Sequence, residues 1–274
     1  MFCICPRNGT AFFINCKSIS CMAIFLLRLL LLAALSIFIV DVNAGYDAEW
    51  EPATATWYGS PNGAGTDGGA CGYGSLPGTP YGLDVTAGSP VLFKDGKGCG
   101  SCYRVKCMDG ALCSNNPVTV VITDECPGGY CASGRTHFDL SGTAFSQMAN
   151  PGRSPALLNS GAVQVLYERV KCDYEGTRLE FEINAGATPY WFAILIRYVG
   201  GSGDLDSVEL LEAGSQTWQS MYQVWGANWC LNYGPLRAPF SIRLHSSGET
   251  ITADNVIPGD WSPSSLYSAS INFS

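Results

Sequence analysis

Cys172-Asp173-Tyr174-Glu175-Gly176 divides the chain into two textures. Before it, cysteines and glycines punctuate short β-branched and aromatic runs: Thr54 to Tyr58, Val91 to Phe93, Tyr103 to Lys106, Val118 to Thr123 and Val163 to Tyr167. After it the runs are longer and alternate clearly: Arg178 to Ile183, Trp191 to Val199, Ser207 to Leu211, Phe240 to Leu244 and Glu249 to Ala253. Alternation with period two marks strands with one buried face. Short strands between turn residues predict an all-β barrel or sandwich for the first part. About a hundred residues of alternating strands predict a β-sandwich for the second. One short helix is expected in the first part, from Ser141 to Ala149, ended by Pro151. The boundary falls at about residue 174.

Residues 1–44 read as a leader and secretory signal. An apolar run from Ile24 to Val40, broken by Arg28 and Ser36, ends at Val42-Asn43-Ala44, small residues suited to cleavage. A membrane anchor of that length is the alternative; the cleavage pattern and the polar, glycine-rich chain from Gly45 onward favour the signal. Met22 opens a compact signal by itself and is a candidate start. Of 13 cysteines, Cys3, Cys5, Cys16 and Cys21 fall in the leader. The remaining set is odd: eight lie between Cys71 and Cys172, and Cys230 stands alone. Cys99-x-x-Cys102 could hold zinc, but no histidines are interspersed and the secretory route favours disulfides, so neither metal nor cofactor is expected. The 274 residues carry 15 basic and 23 acidic side chains; without Arg7, Lys17, Arg28 and Asp41 the balance is 12 to 22, a formal charge of −10. That argues against nucleic acid and anionic membranes as partners and is compatible with a neutral polysaccharide.

The stretch Thr136-His137-Phe138-Asp139-Leu140-Ser141 holds one of two histidines, two residues from a carboxylate. In an extended segment these side chains share a face, with Phe138 on the other. Thr56-Trp57-Tyr58-Gly59, Asp67 and Asp124 offer further polar groups. Each aspartate has an ordinary alternative reading as a turn or capping residue. The glycines between Gly59 and Gly82 form a loop; no Lys-Ser/Thr follows and no helix pattern opens, so it is not a phosphate-binding motif. On the strand from Trp191, one face carries Phe192, Ile194, Ile196 and Tyr198, which suits a core. Trp191 shares the other with Ala193, Leu195 and Arg197. A ring there can stack on the apolar face of a sugar at little conformational cost; burial in the core is the alternative.

Several ordered motifs resemble the plant expansins: Thr56-Trp57-Tyr58-Gly59, Gly65 to Gly74, Cys99-Gly100-Ser101-Cys102-Tyr103 and His137 to Gly142. Cys102-x4-Cys107, Tyr198 to Asp204, Trp225-Gly226-Ala227-Asn228-Trp229 and Asp254-Asn255-Val256-Ile257-Pro258 are similar to the β-expansin branch. The resemblance implies a six-stranded double-psi β-barrel over 45–173, like that of family-45 glycoside hydrolases. It implies an immunoglobulin-like carbohydrate-binding sandwich over 174–274. The implied function is that of a secreted monomer in the cell wall, free of membranes after signal cleavage. It would bind xylan or other matrix glycans and cellulose and loosen their contacts without hydrolysis. The implied glycan contacts are Thr56, Trp57, Tyr58, Asp67, Asp124, His137 and Asp139 in the barrel, and Trp191 and Trp229 in the sandwich, with Trp225 left to the core. A regular strand would turn only one of Trp57 and Tyr58 to the glycan; the family uses both. Glycoside hydrolysis usually takes two carboxyl groups. Asp139 resembles the acid of the family-45 enzymes, but the position of their base is Gly59, so no enzyme is expected. An endoglucanase, with Asp67 or Asp124 as base, and a lectin-like binder are the rivals. The family order pairs Cys71–Cys99, Cys102–Cys172 and Cys107–Cys113; Cys126–Cys131 is expected as a local pair and Cys230 as free.

Overall fold

Glu51–Tyr58 (β1) alternates buried Ala53 and Ala55 with half-buried Thr54 and Thr56, so one face enters a core and the other stays reachable. The computed structural model describes residues 50–274 and, near the start, the paired dipeptides Phe2–Cys3 and Ile14–Asn15. The apolar run Ile24 to Val40, the cleavage pattern and Met22 lie outside the described residues. The other barrel strands are Val85–Gly88 (β2), Cys102–Cys107 (β3), Val118–Glu125 (β4), His137–Ser141 (β5) and Val163–Val170 (β6). They close in the order β1-β5-β2-β4-β3-β6. The β1–β5 and β2–β4 pairs are parallel and the rest antiparallel, a double-psi barrel. Phe138, Leu140, Val105, Val120 and Ile122 fill its interior without exposure.

Two local expectations are corrected. Val91-Leu92-Phe93 is not a strand: Pro90–Phe93 (α1) is a helical turn with proline at its start, where the fixed φ suits a helix and the missing N–H costs nothing. The expected helix is Gly142–Gln147 (α2), capped by Ser141 Oγ, which accepts from the Ala144 N–H at 3.1 Å. A second one, Ser154–Leu158 (α3), carries Pro155 in its first turn.

The second part is a sandwich of eight strands: Leu179–Ile183 (β7), Phe192–Arg197 (β8), Ser207–Glu212 (β9), Gln219–Trp225 (β10), Asn228–Leu231 (β11), Phe240–Ser246 (β12), Glu249–Ile257 (β13) and Leu266–Ala269 (β14). Strand β10 joins its halves, pairing with β9 through Met221 and with β11 from Tyr222 onward. Phe192 and Phe240, from opposite sheets, meet at 4.9 Å between ring centres in a fully buried core. Tyr198 departs from that core. It takes a left-handed φ of 59° and joins Tyr81, Tyr73 and Tyr174, with ring centres 4.5–5.9 Å apart around Tyr81. The Ala227 N–H donates to the Cys71 carbonyl at 3.0 Å, and Arg169 bonds Asp204 at 2.6 Å. Residues Ala48–Ser274 thus form one compact unit.

Among the described residues from 50 onward the disulfides are Cys71–Cys99, Cys102–Cys172, Cys107–Cys113 and Cys126–Cys131, with Cys230 free and buried. Burial raises the Cys230 thiol pKa, which starves it of thiolate. Iodoacetamide should therefore leave Cys230 unlabelled in the native protein and label it on unfolding, read by mass spectrometry; rapid native labelling would contradict the packing.

Candidate functional site

Register builds the site. Because β1 and β5 run parallel, Thr54 lies opposite His137 and Thr56 opposite Asp139. Thr54 Oγ1 lies 2.7 Å from His137 Nδ1, and Thr56 Oγ1 lies 2.9 Å from Nε2. The Thr56 hydroxyl donates to Asp139 Oδ1 at 2.7 Å. A hydroxyl has one proton, so Thr56 accepts from the imidazole, whose Nε2 carries the hydrogen. Nδ1 then accepts from Thr54. The chain Thr54–His137–Thr56–Asp139 is oriented, each bond polarising the next toward the carboxylate.

Burial depresses the His137 pKa and keeps the ring neutral, as this bonding requires. Burial raises the Asp139 pKa; the Thr56 hydrogen bond opposes that shift and the nearby Asp124 charge adds to it. The stability consequences have opposite sign. Asp139 favours the fold in acid and loses that contribution as pH rises through its raised pKa; His137 contributes above the ordinary imidazole pKa and loses it as pH falls. Thr56→Val should raise the Asp139 pKa further and cost about 1–3 kcal/mol, because the His137 Nε2–H loses its acceptor. A carbon-NMR titration of Asp139 with a melting curve checks both; a lowered pKa would contradict the assignment.

The structure places the other expected contacts as follows. Asp124 accepts from the Ala70 and Glu125 N–H groups at 2.7 and 2.8 Å, fastening the glycine-rich loop to the end of β4. Burial raises the Tyr58 pKa, and the Asp124 and Asp139 charges push the same way, so its hydroxyl belongs to the same cluster. Trp57 faces away from Tyr58: it packs on the barrel core and its indole N–H donates to the Leu158 carbonyl at 2.9 Å. Asp67 is exposed in the loop, outside this hydrogen-bonded group. His137, expected as a glycan contact, is fully buried and is linked to Asp139 through the Thr56 hydroxyl.

The sandwich brings two corrections. Trp229, expected outside, is 6% exposed and lies opposite Ile194 on the core face. Trp225, expected in the core, is 50% exposed. A β-bulge between Gln223 and Trp225 turns it outward, opposite Asn228, which pairs with Leu195 on the outer face. Tyr222 and Trp191 share that face: Tyr222 lies opposite Cys230, and its hydroxyl reaches the Cys230 thiol and the Trp191 side chain. The Trp225 indole lies against Gly72 of the barrel, where a Cβ would come within 2.8 Å of the ring.

Residues 179–258 match the expansin C-terminal domain model, and residues 85–167 match a double-psi barrel model described as lytic transglycolase. Expansin-B16 of Oryza sativa subsp. japonica is 50% identical over 230 residues, 83% of this chain and 85% of the relative. Expansin-B3 of Arabidopsis thaliana is 49% identical, covering 83% and 87%. The chain belongs to the expansin family. It is a β-expansin. The apo expansin of Clavibacter michiganensis shares the fold at a TM-score of 0.63 and 18% identity, over 82% of this chain and 98% of that one. Thr54, Tyr222 and Trp225 were missed in the β-expansin sequence. Thr54 was signalled by its two-residue offset from Thr56 and Tyr222 by its alternation with buried Met221; Trp225 was not, because a bulge sets its facing.

No helix among the described residues is long and apolar enough to cross a membrane.

Proposed function

We propose that this β-expansin acts in the cell wall after secretion, binding matrix polysaccharide and cellulose and loosening their non-covalent contacts without cutting either. The observation that carries the reading is Trp225. It is half exposed on the sandwich yet rests on Gly72, in the loop that Asp124 fastens beside Asp139. The outward row Trp191, Tyr222, Trp225 therefore leads toward the carboxylate on the barrel. Flat rings meet the apolar faces of neutral pyranoses, and a carboxylate accepts from their hydroxyls. Such a row suits a long, flat glycan. The bound chain then competes with its own neighbours in the wall, and loosening follows from binding alone.

Gly59 supports the absence of hydrolysis. It has φ +77°, and a Cβ there would lie 2.4 Å from the Gly65 carbonyl oxygen. The backbone itself excludes a base at that position. Asp124, whose charge acts on Asp139, spends one oxygen on two backbone N–H groups, that of Ala70 in the loop and that of Glu125 at the end of β4. Wall extension under constant load and reducing-end release, measured on one preparation, test the reading.

A further inference from the structure

Tyr130 stacks on the His137 ring with 5.8 Å between centres and 9° between planes. The two rings are nearly parallel, within the range of favourable aromatic pairs. His137 is fully buried, while Tyr130 is 61% exposed. One side of the tyrosine therefore covers the histidine and the other meets solvent. The residue sits in a 3₁₀ turn, Gly129–Ser133, on the segment linking Asp124 to His137. That segment is braced. The Cys126 N–H donates to the Gly88 carbonyl at 2.9 Å, Cys126 is bridged to Cys131, and Cys131 is 1% exposed. A large ring is thus held in place on a short, closed loop.

Its position relative to the carboxylate follows from strand geometry. His137 and Asp139 share a face two residues apart, about 7 Å along the strand. In register order the face carries Tyr130 over His137, then Asp139, then Tyr58. A ring one step from the carboxylate can stack on the sugar next to the one whose hydroxyls Asp139 takes. We propose that Tyr130 is a sugar-stacking subsite that lengthens the barrel's glycan row past Asp139, taking neutral β-1,4-linked pyranose chains. The proposal rests on the glycan-binding reading given above.

A role confined to covering His137 has a different signature from a subsite. Loss of the cover would change the Asp139 environment and affect ligands of every length. Loss of a subsite affects only ligands long enough to reach it. The test is calorimetric titration of the full chain, parent and Tyr130→Ala, with cellotriose and cellohexaose and with their xylose counterparts. The expected result is a roughly tenfold loss for the hexamers, little change for the trimers, and recovery in Tyr130→Phe and Tyr130→Trp. Tyr130→Phe and Tyr130→Trp, which keep a ring over His137, should melt at the parent temperature. Equal losses at both lengths, or hexamer affinity unchanged in Tyr130→Ala while the parent binds, overturn the subsite and leave the glycan-binding reading standing. Failure of the parent to bind any of the oligosaccharides overturns both.

Discussion

Asp139→Asn should reduce wall extension at least roughly tenfold, while polysaccharide chain length stays the same for parent and variant. The size of the effect follows from the hydrogen bonds at stake. A carboxylate accepting from sugar hydroxyls makes charge-assisted bonds, each worth about 1.5–3 kcal/mol. Asparagine keeps the shape but exchanges one acceptor oxygen for a donor. It also disturbs the oriented chain behind it: if the amide N–H₂ faces the Thr56 hydroxyl, two donors meet where 2.7 Å now separates donor from acceptor. Binding should weaken with little change in fold, because Asp139 is only half buried. Wall creep and reducing-end release on the same preparation check this. Steady release of reducing ends by the parent, abolished in Asp139→Asn, would falsify the non-enzymatic reading and promote an endoglucanase. The reciprocal change, Gly59→Asp, is no clean route to a hydrolase. It asks an L-residue to hold φ +77° with its Cβ 2.4 Å from a carbonyl oxygen, so the loop itself must move.

Legibility in the sequence followed the reach of each signal. Alternation in Leu179–Ile183 and Phe240–Ser246 is local, and these strands stand where the pattern puts them. The pairing of Asp139 with Thr56 joins residues 83 apart, so no local pattern announces it. Resemblance brought both motifs into one site without showing that a buried histidine links them. Alternation also failed where geometry broke it. Tyr198 continues the apolar row of its strand in sequence, but a left-handed φ turns it into a tyrosine cluster with Tyr81 and Tyr174. The same kind of break, the bulge near Trp225, turns that ring outward, while the regular register opposite Ile194 holds Trp229 on the core face.

That contrast gives the last expected result, because the two tryptophans should fail in different ways. Trp225 is half exposed and Trp229 is 6% exposed within the sandwich core. Trp225→Ala should weaken adhesion to cellulose about tenfold, the loss expected of a central aromatic. Its melting temperature should barely move, since the ring contributes contact rather than core volume. Trp191→Ala should behave the same way with a smaller loss, because that ring is already partly covered. Trp229→Ala removes the largest side chain opposite Ile194 and leaves a cavity, a loss of about 3–5 kcal/mol. For a unit of this size that lowers the melting temperature by about 6–20 °C. Whatever fraction remains folded should still adhere, since the outward row is intact. Adhesion isotherms beside melting curves for the three variants separate surface from core. If Trp229→Ala melts like the parent and loses adhesion, while Trp225→Ala keeps it, the exposed row is misassigned and Trp229 is the binding ring after all.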